Sequence, residues 1–415
     1  MKSGFFAWRT DVSPQQWRAF WAAYLGWMLV GFDFTILTFL LVDIERSFTV
    51  NSALAGALGT VTLIFRLVGG LGSGVAADRW GRKYPLIFSI LWYSTFALFS
   101  SFSTSYRMLF ALRALFGIGM GGVWAAGMPL AIEHWPAHLR GRVSGMAQSG
   151  WPAGFILSAS LYQFVYPLVS HRVDFGWRVM LAAGALPALL VPWMARQVAE
   201  SPIWLERRQQ HRDTASAAAP IRLLFQRELL PTTVHASLVM GAFLLSYYAI
   251  TFWYPTFITR TGRSTLPFLV SFNAAAIGGN LLWGHVSESR WGRRGAATIA
   301  ALGGIAAIPL FLFANQPLAL AVGACLMGLF GGSTFGIVPT YLNERFPTAA
   351  RAAGAGLTYH LGAAAASVMP FIIGALEDRG VTLQNAMAGS IAVTGVLSVL
   401  LLWLGPETRG KTLTT

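Results

Sequence analysis

Twelve stretches of this chain are continuously apolar for about 20 residues or more, and nothing else in the sequence narrows its possible folds so sharply. They lie at 18–43, 53–77, 84–104, 107–134, 141–168, 175–196, 233–258, 266–287, 295–314, 317–343, 350–376 and 384–404. A hydrocarbon core about 30 Å thick is crossed by about 20 helical residues. The runs do not alternate apolar with polar positions, so they predict spanning helices and not barrel strands. Composition agrees. Of 415 residues, 55% are hydrophobic and only 11% charged, too little charge for a soluble chain of this size. Lys2, Arg9 and Arg18 precede or open the first run and no small-residue cleavage site follows it, so the first helix is expected to be retained. The single cysteine, Cys325, falls inside a run and has no partner to form a disulfide.

The net charge is +14, and its distribution is more informative than its size. With the N-terminus inside, 21 of the 30 Lys and Arg residues fall in cytoplasmic segments, and seven (Arg46, Arg107, Arg172, Arg178, Arg260, Arg263 and Arg379) fall in outer loops. That positive-inside bias predicts an inner-membrane protein with both termini in the cytoplasm. The lipid bilayer is the partner that the charge addresses, and no nucleic-acid partner is indicated.

The chain also repeats itself at an offset of 211 residues. "DRWGRK" at Asp78–Lys83 returns as "SRWGRR" at Ser289–Arg294, with Glu288 supplying an acid one position early. "EHWPAHLRGRVSG" from Glu133 returns as "ERFPTAARAAGAG" from Glu344, which pairs Arg140 with Arg351, and Gly117 and Gly121 pair with Gly328 and Gly332. A duplicated bundle of six plus six helices follows. Residues 1–196 form the expected N-terminal bundle, 197–230 a polar cytoplasmic linker and 231–415 the C-terminal bundle. Glycines four apart, such as Gly70 and Gly74, are expected to let helix backbones approach closely.

Against this apolar background three interior charges need a reason: Asp33, Arg66 and Arg113. A charge at the bilayer centre costs about 2.5–3.5 kcal/mol on insertion scales, so such a residue is expected to have a partner or face a cavity. Burial disfavours a carboxylate's charge and a nearby guanidinium favours it, so moving an arginine relative to Asp33 would change its proton affinity. A static ion pair that only fixes packing is the competing reading. The second half has no interior charge at helices 7, 8 or 10, which favours a coupling role over an architectural one. Other polar residues within spans are candidate ligand contacts: Gln148, Trp151, Tyr247, Tyr248, Asn273, Asn280, Tyr359 and His360. Hydrogen bonding between helices would explain any one of them equally well. His360 stands out because imidazole can donate to a carboxylate or carry a proton.

Gly74-x-x-x-Asp78-Arg79-x-Gly81-Arg82-Lys83 resembles the loop between helices 2 and 3 of the major facilitator superfamily, and its return after helix 8 resembles that superfamily's second copy. Arg113-x-x-x-Gly117-x-Gly119 resembles the helix 4 motif of its proton-coupled members, and "ESPIWL" and "PETRGKTL" resemble sugar-porter signatures. "QWRAFWAAYLGWMLVGFDF", "RLVGGLGSG" and "RAAGAGLTYHLGA" are similar to the sialate:proton symporter family of sialic acid and lactate or pyruvate transporters. Many of those relatives carry an acid where Val30 stands here, and sialic acid members often have two extra spans between the halves.

The resemblance implies an all-α membrane protein with twelve transmembrane helices in the major facilitator fold. It implies a proton-coupled importer of a small organic anion, a monocarboxylate such as lactate or pyruvate or a sialic acid, working by alternating access. It carries the proton-coupling roles to Asp33 and Arg113 and leaves Arg66 to meet a carboxylate. Asp78, Arg82, Glu133 and Arg140, with Glu288, Arg293, Glu344 and Arg351, would then form cytoplasmic charge networks that hold the bundles together when the site faces outward; simple topology determinants are the alternative. A sugar or drug carrier or exporter is the alternative function within transport, and a solute sensor that moves nothing is the alternative outside it. No phosphate-binding loop, metal-ligand spacing or hydrolase elbow occurs, so neither an enzyme, a cofactor nor a metal is expected. The chain is expected to act as a monomer.

Overall fold

The computed structural model describes residues 12–135, 143, 146–172, 174–210, 222–347 and 350–409. All regular structure among them is helical. Eleven helices are long and apolar enough to cross a membrane. They are α1 Pro14–Phe39, α2 Ser52–Trp80, α3 Lys83–Ser101, α4 Tyr106–His134, α6 Phe175–Gln197, α7 Leu230–Arg260, α8 Leu266–Glu288, α9 Gly292–Leu312, α10 Pro317–Glu344, α11 Ala353–Asp378 and α12 Leu383–Leu404. The shorter α5, Gly150–Phe164, completes the twelve expected spans.

Local chemistry sets where several helices begin. Ser13 and Gln16 form a reciprocal capping box ahead of Pro14, and Asn51, Ser105 and Thr382 each accept a backbone N–H at the starts of α2, α4 and α12. Such side chains satisfy N–H groups that have no partner within the helix. Local chemistry also explains the breaks. The expected fifth span, 141–168, is interrupted by a turn at Ser149 just before Pro152, and a second short helix, Tyr166–Val169, follows α5. The helical segments after the breaks in α7, α10 and α11 start at Tyr254, Val338 and Met369, each with proline in its first two positions. Proline has no N–H to bond back into the preceding turn, yet its fixed φ suits a new helical start. In α6 the residues Ala183–Leu190 tighten into a 3₁₀ turn around Pro187.

Within each half, glycines bring backbones into contact where lipid gives no hydrophobic drive. A Cβ on Gly117 would lie 2.2 Å from the Thr62 carbonyl oxygen, and one on Gly121 would lie 2.1 Å from that of Arg66, so α4 rests directly on α2. Gly328 repeats this against Phe272 between α10 and α8. The two six-helix bundles meet mainly along α2 with α11, α1 with α7 and α5 with α8.

Candidate functional site

Between the halves, about midway along the helices, lies a cavity with about 660 Å³ of empty space counted out to its open side. Arg66 enters it from α2, Trp27 from α1, Gln148 and Trp151 from in and before α5, and Tyr247 and Tyr248 from α7. Asn273 and Asn280 come from α8 and Tyr359 from α11, while Phe335 comes from the short turn that breaks α10. Eight of the nine expected contact residues therefore line one space, with His360 the exception. His360 is buried behind it, where Gly70 leaves room for the ring: a Cβ on Gly70 would meet His360 Cε1 at 2.6 Å. The Trp27 and Phe335 contacts were not singled out from sequence. Trp27 carried a usable signal, because it sits in mid-span, far from the interface where tryptophan normally anchors.

Among the described residues Arg66 is the only cation lining this cavity, and it is 2% exposed. Three rings enclose its guanidinium, with centroids 5.5 Å (Trp27), 5.9 Å (Trp151) and 5.5 Å (Tyr359) away. Its Nη2 donates to Tyr359 Oη at 3.0 Å, and Tyr248 also interacts with it. Among the described residues no carboxylate lies within ion-pairing distance of Arg66, and its Nε has no hydrogen-bond partner. Cation–π contact with three rings offsets part of the desolvation, up to about 2 kcal/mol for a favourable pair, but leaves the charge without an anion. Trp27 Nε1 and Asn280 Oδ1 are likewise buried and unpartnered. The site is chemically suited to hold one carboxylate against a guanidinium fork, with ring walls around the rest of the molecule.

The rings also tie the halves together. Trp151 Nε1 donates to Tyr247 Oη at 3.1 Å, and Trp124 stacks on Tyr359 with 5.1 Å between centroids and planes 8° apart.

Asp33 and Arg113 lie elsewhere, inside the first half. Both are 1% exposed and neither lines the cavity. They interact electrostatically without forming an ion pair: among the described residues both Asp33 oxygens, and Arg113 Nε and Nη2, have no hydrogen-bond partner. Arg113 Cζ instead sits 4.0 Å from the Phe116 ring centroid. The three interior charges thus divide into Arg66 in the cavity and Asp33 with Arg113 behind it. One turn connects them, since the Thr62 hydroxyl donates to the Arg113 carbonyl at 3.2 Å, four residues before Arg66.

The repeated loop motifs build two matching networks on the face that carries the chain ends, each within its own half. Arg82 bonds Asp78 at 2.5 Å and Glu133 at 3.2 Å, and Arg293 bonds Glu288 at 2.6 Å and Glu344 at 2.8 Å. Glu200 accepts from the backbone N–H of Arg82 at 2.7 Å and Lys83 at 3.1 Å, and Glu407 does the same for Arg293 and Arg294, both at 3.0 Å. Gly81 and Gly292 precede those N–H groups with φ of +97° and +66°, a region that side-chain-bearing residues avoid. Arg79 lies over Trp80 and a Cβ on Gly74 would meet open space, so neither joins the network. Arg140 and the Arg351 side chain lie outside the described residues.

On the opposite face the halves are locked to each other. Arg260 of α7 pairs with Glu377 of α11 and, at 3.1 Å, with Glu45 from the first half's short helix Leu41–Phe48. Asp378 accepts from the Ser52 and Ala53 backbone N–H groups at 3.0 and 2.9 Å, capping α2 from the other half. Thr256 adds a hydrogen bond to the Thr38 carbonyl at 2.5 Å.

Comparison with known proteins agrees with this architecture. The chain is 31% identical to a probable 4-methylmuconolactone transporter of Cupriavidus pinatubonensis over 98% of its own length and 94% of that protein's. It is 29% identical to the sialic acid transporter NanX of Escherichia coli, covering 98% and 97% of the two chains, and 29% identical to the cis,cis-muconate transport protein of Acinetobacter baylyi, covering 90% of each. Among solved structures, the inward-open xylose transporter XylE of Escherichia coli superposes with a TM-score of 0.76 at 19% identity, over 96% of this chain and 98% of that one. The family model described as Major Facilitator Superfamily matches residues 23–370, and the chain, a multi-pass membrane transporter and not an enzyme, belongs to that family.

Proposed function

We propose that this transporter imports a small organic acid together with a proton across the inner membrane, by alternating access. The observation that carries the reading is Arg66, a buried guanidinium with no carboxylate partner among the described residues, caged by rings in a cavity between the halves. A monocarboxylate supplies the missing anion. The ring walls favour a flat, unsaturated body over a polyhydroxylated one, and Gln148, Asn273 and Asn280 offer amides to a polar group at its other end. Relatives named for muconolactone, muconate and sialic acid fit an organic-acid cargo.

With both termini in the cytoplasm, the orientation that the positive-inside bias supports, the locked face is the outer one and access to the cavity is from the inside. Asp33 is the proton site and Arg113 its modulator. Anion binding at Arg66 shifts α2 against α4, and the Thr62–Arg113 contact passes the shift to Asp33. By linkage, a proton on Asp33 that favours anion binding must itself be favoured by the anion to the same degree. Carrying one proton with one monoanion makes the step electroneutral.

The test is uptake of labelled 4-methylmuconolactone, cis,cis-muconate, nicotinate, lactate, pyruvate and sialic acid into proteoliposomes under an inward proton gradient. Gradient-driven accumulation of one acid is expected, lost in Asp33→Asn and weakened at least about tenfold in Arg66→Lys, which cannot form the bidentate fork. Accumulation of none of them, or undiminished accumulation by Asp33→Asn, would overturn the reading.

A further inference from the structure

We infer that Tyr93 is a positioning residue for proton coupling: its phenol, buried near Asp33 and unbonded in this conformation, is the hydrogen-bond donor available to Asp33 when the carboxylate ionises. The inference rests on the reading of Asp33 as the proton site.

Asp33 is buried on α1 against elements of the first half. Gly184, in the 3₁₀ stretch of α6, faces it so closely that an added Cβ would lie 2.7 Å from Asp33 Oδ1 and 2.7 Å from Ala97 Cβ. Ala97 sits one turn beyond Tyr93 on α3, so both project toward the same space. Tyr93 is itself fully buried, lies edge-on to Phe116 with centroids 5.8 Å apart, and interacts electrostatically with Asp33. Neither its hydroxyl nor that of Ser94 makes a hydrogen bond of normal geometry, although the two interact. A buried phenol, a buried carboxylate and a buried guanidinium thus share one enclosure with their polar atoms mostly unsatisfied. Native interiors rarely leave buried polar groups unpaired, and each such group calls for an explanation.

The duplication supplies an independent comparison. At the offset of 211 that relates Arg82 to Arg293 and Glu133 to Glu344, Tyr93 corresponds to Gly304 and Arg113 to Ala324. Beside Gly304 the second half encloses a small void, lined also by Phe243 and Ile391, where the first half has its phenol. The architecture therefore does not require a large side chain there. The phenol occurs in the half that holds the carboxylate.

Chemically, the hydroxyl can serve both protonation states. It donates to the carboxylate when Asp33 is ionised, and its oxygen accepts from the carboxylic acid when Asp33 is protonated. Because a hydrogen bond to a charged group is stronger than one to a neutral group, the phenol favours release of the proton.

The experiment is the pH dependence of gradient-free uptake and counterflow of whichever acid the wild type accumulates, in proteoliposomes of wild type, Tyr93→Phe, Asp33→Asn and, as a control, Tyr106→Phe. Tyr106 is a phenol about two turns before Arg113 on α4, and its hydroxyl donates to the Leu54 carbonyl. Loss of the donor is expected to move the Tyr93→Phe midpoint to higher pH by about 1 to 2 units, with Tyr106→Phe at the wild-type position. A Tyr93→Phe profile that superimposes on the wild type, while Asp33→Asn removes the pH dependence, would overturn this inference alone. PH dependence that survives in Asp33→Asn would overturn the underlying proton-site reading. If Tyr93→Phe does not yield folded protein, infrared difference spectra of the wild type between pH 8 and pH 5 test the same point. A tyrosine band appearing with the carboxyl band that Asp33→Asn abolishes supports it; a carboxyl band alone opposes it.

Discussion

Gly70 and Gly74 look interchangeable in the sequence, a pair of small residues four apart on α2, yet the structure gives them different work. A Cβ on Gly70 would press into the His360 ring at 2.6 Å, at the contact between α2 and α11, whereas one on Gly74 would meet nothing within 4 Å. That contact joins the two halves beside the cavity, so it must loosen and reform if the halves rock. Gly70→Ala is expected to lower the transport rate at least tenfold with normal membrane insertion, and Gly74→Ala to leave it unchanged. Initial uptake rates normalised to the amount of protein in the membrane check this, and equal rates for the two variants would contradict it. Residue type and depth were legible for Asp33, Arg66 and Arg113 because charge in an apolar run is conspicuous. Which of them share a space was not legible, because that depends on helix rotation, which an apolar run seen on all sides leaves unspecified. Phe335 was hidden for a related reason: it enters the cavity from a break in α10, and a phenylalanine in a span carries no mark of which way it points.

At the scale of elements, the sequence located spans well and interruptions poorly. Hydropathy averages over a window, so a turn such as the one at Ser149 disappears within a run that is apolar on both sides. Prolines at the second or third position after each break were the available signal. The caps on α3 and α9 show how a distant acid closes a helix start. Glu407 accepts N–H groups from Arg293, Arg294 and Arg409, and also from Thr408 beside it. Partial burial pushes its carboxyl up, but these four backbone donors outweigh it and hold the group below the ordinary glutamate value of 4.5. A carboxyl with a depressed folded-state pKa contributes stability that is present above 4.5 and is lost as pH falls through its lowered value. The thermal stability of detergent-purified protein is therefore expected to decline below about pH 4.5 less steeply in Glu407→Gln than in wild type, with the variant the less stable of the two at pH 7. Melting curves across that range decide it, and parallel pH profiles would refute the cap's contribution.

At the scale of the whole molecule, the repeat announced two bundles and the charge bias an orientation, but neither indicated how the halves are locked in this conformation. Arg260 counted only as one of seven basic residues against the bias. In the structure it bridges Glu377 in its own half and Glu45 in the other, where two carboxylates would otherwise face each other unscreened. Glu45 titrates above the usual glutamate value of 4.5: burial raises it most, hydrogen bonding from Ser52 and the charge of Arg260 lower it, and Glu377 raises it again. A raised carboxyl stabilises the closed arrangement fully below 4.5, and that contribution is lost as pH rises through the raised value. Acid should thus favour closure of this face, and removal of Arg260 should make closure depend on acid. Spin labels at the exposed Thr104 and Val381, on the same face in opposite halves, would report this by pulsed distance measurement. In Arg260→Ala a longer distance is expected to predominate at pH 7.5 and the short, closed distance to return near pH 5, while the wild type stays mostly closed at both. A variant whose distance distribution matches the wild type at pH 7.5 would mean that helix packing alone, through contacts such as Gly56 on Pro370, holds the face shut.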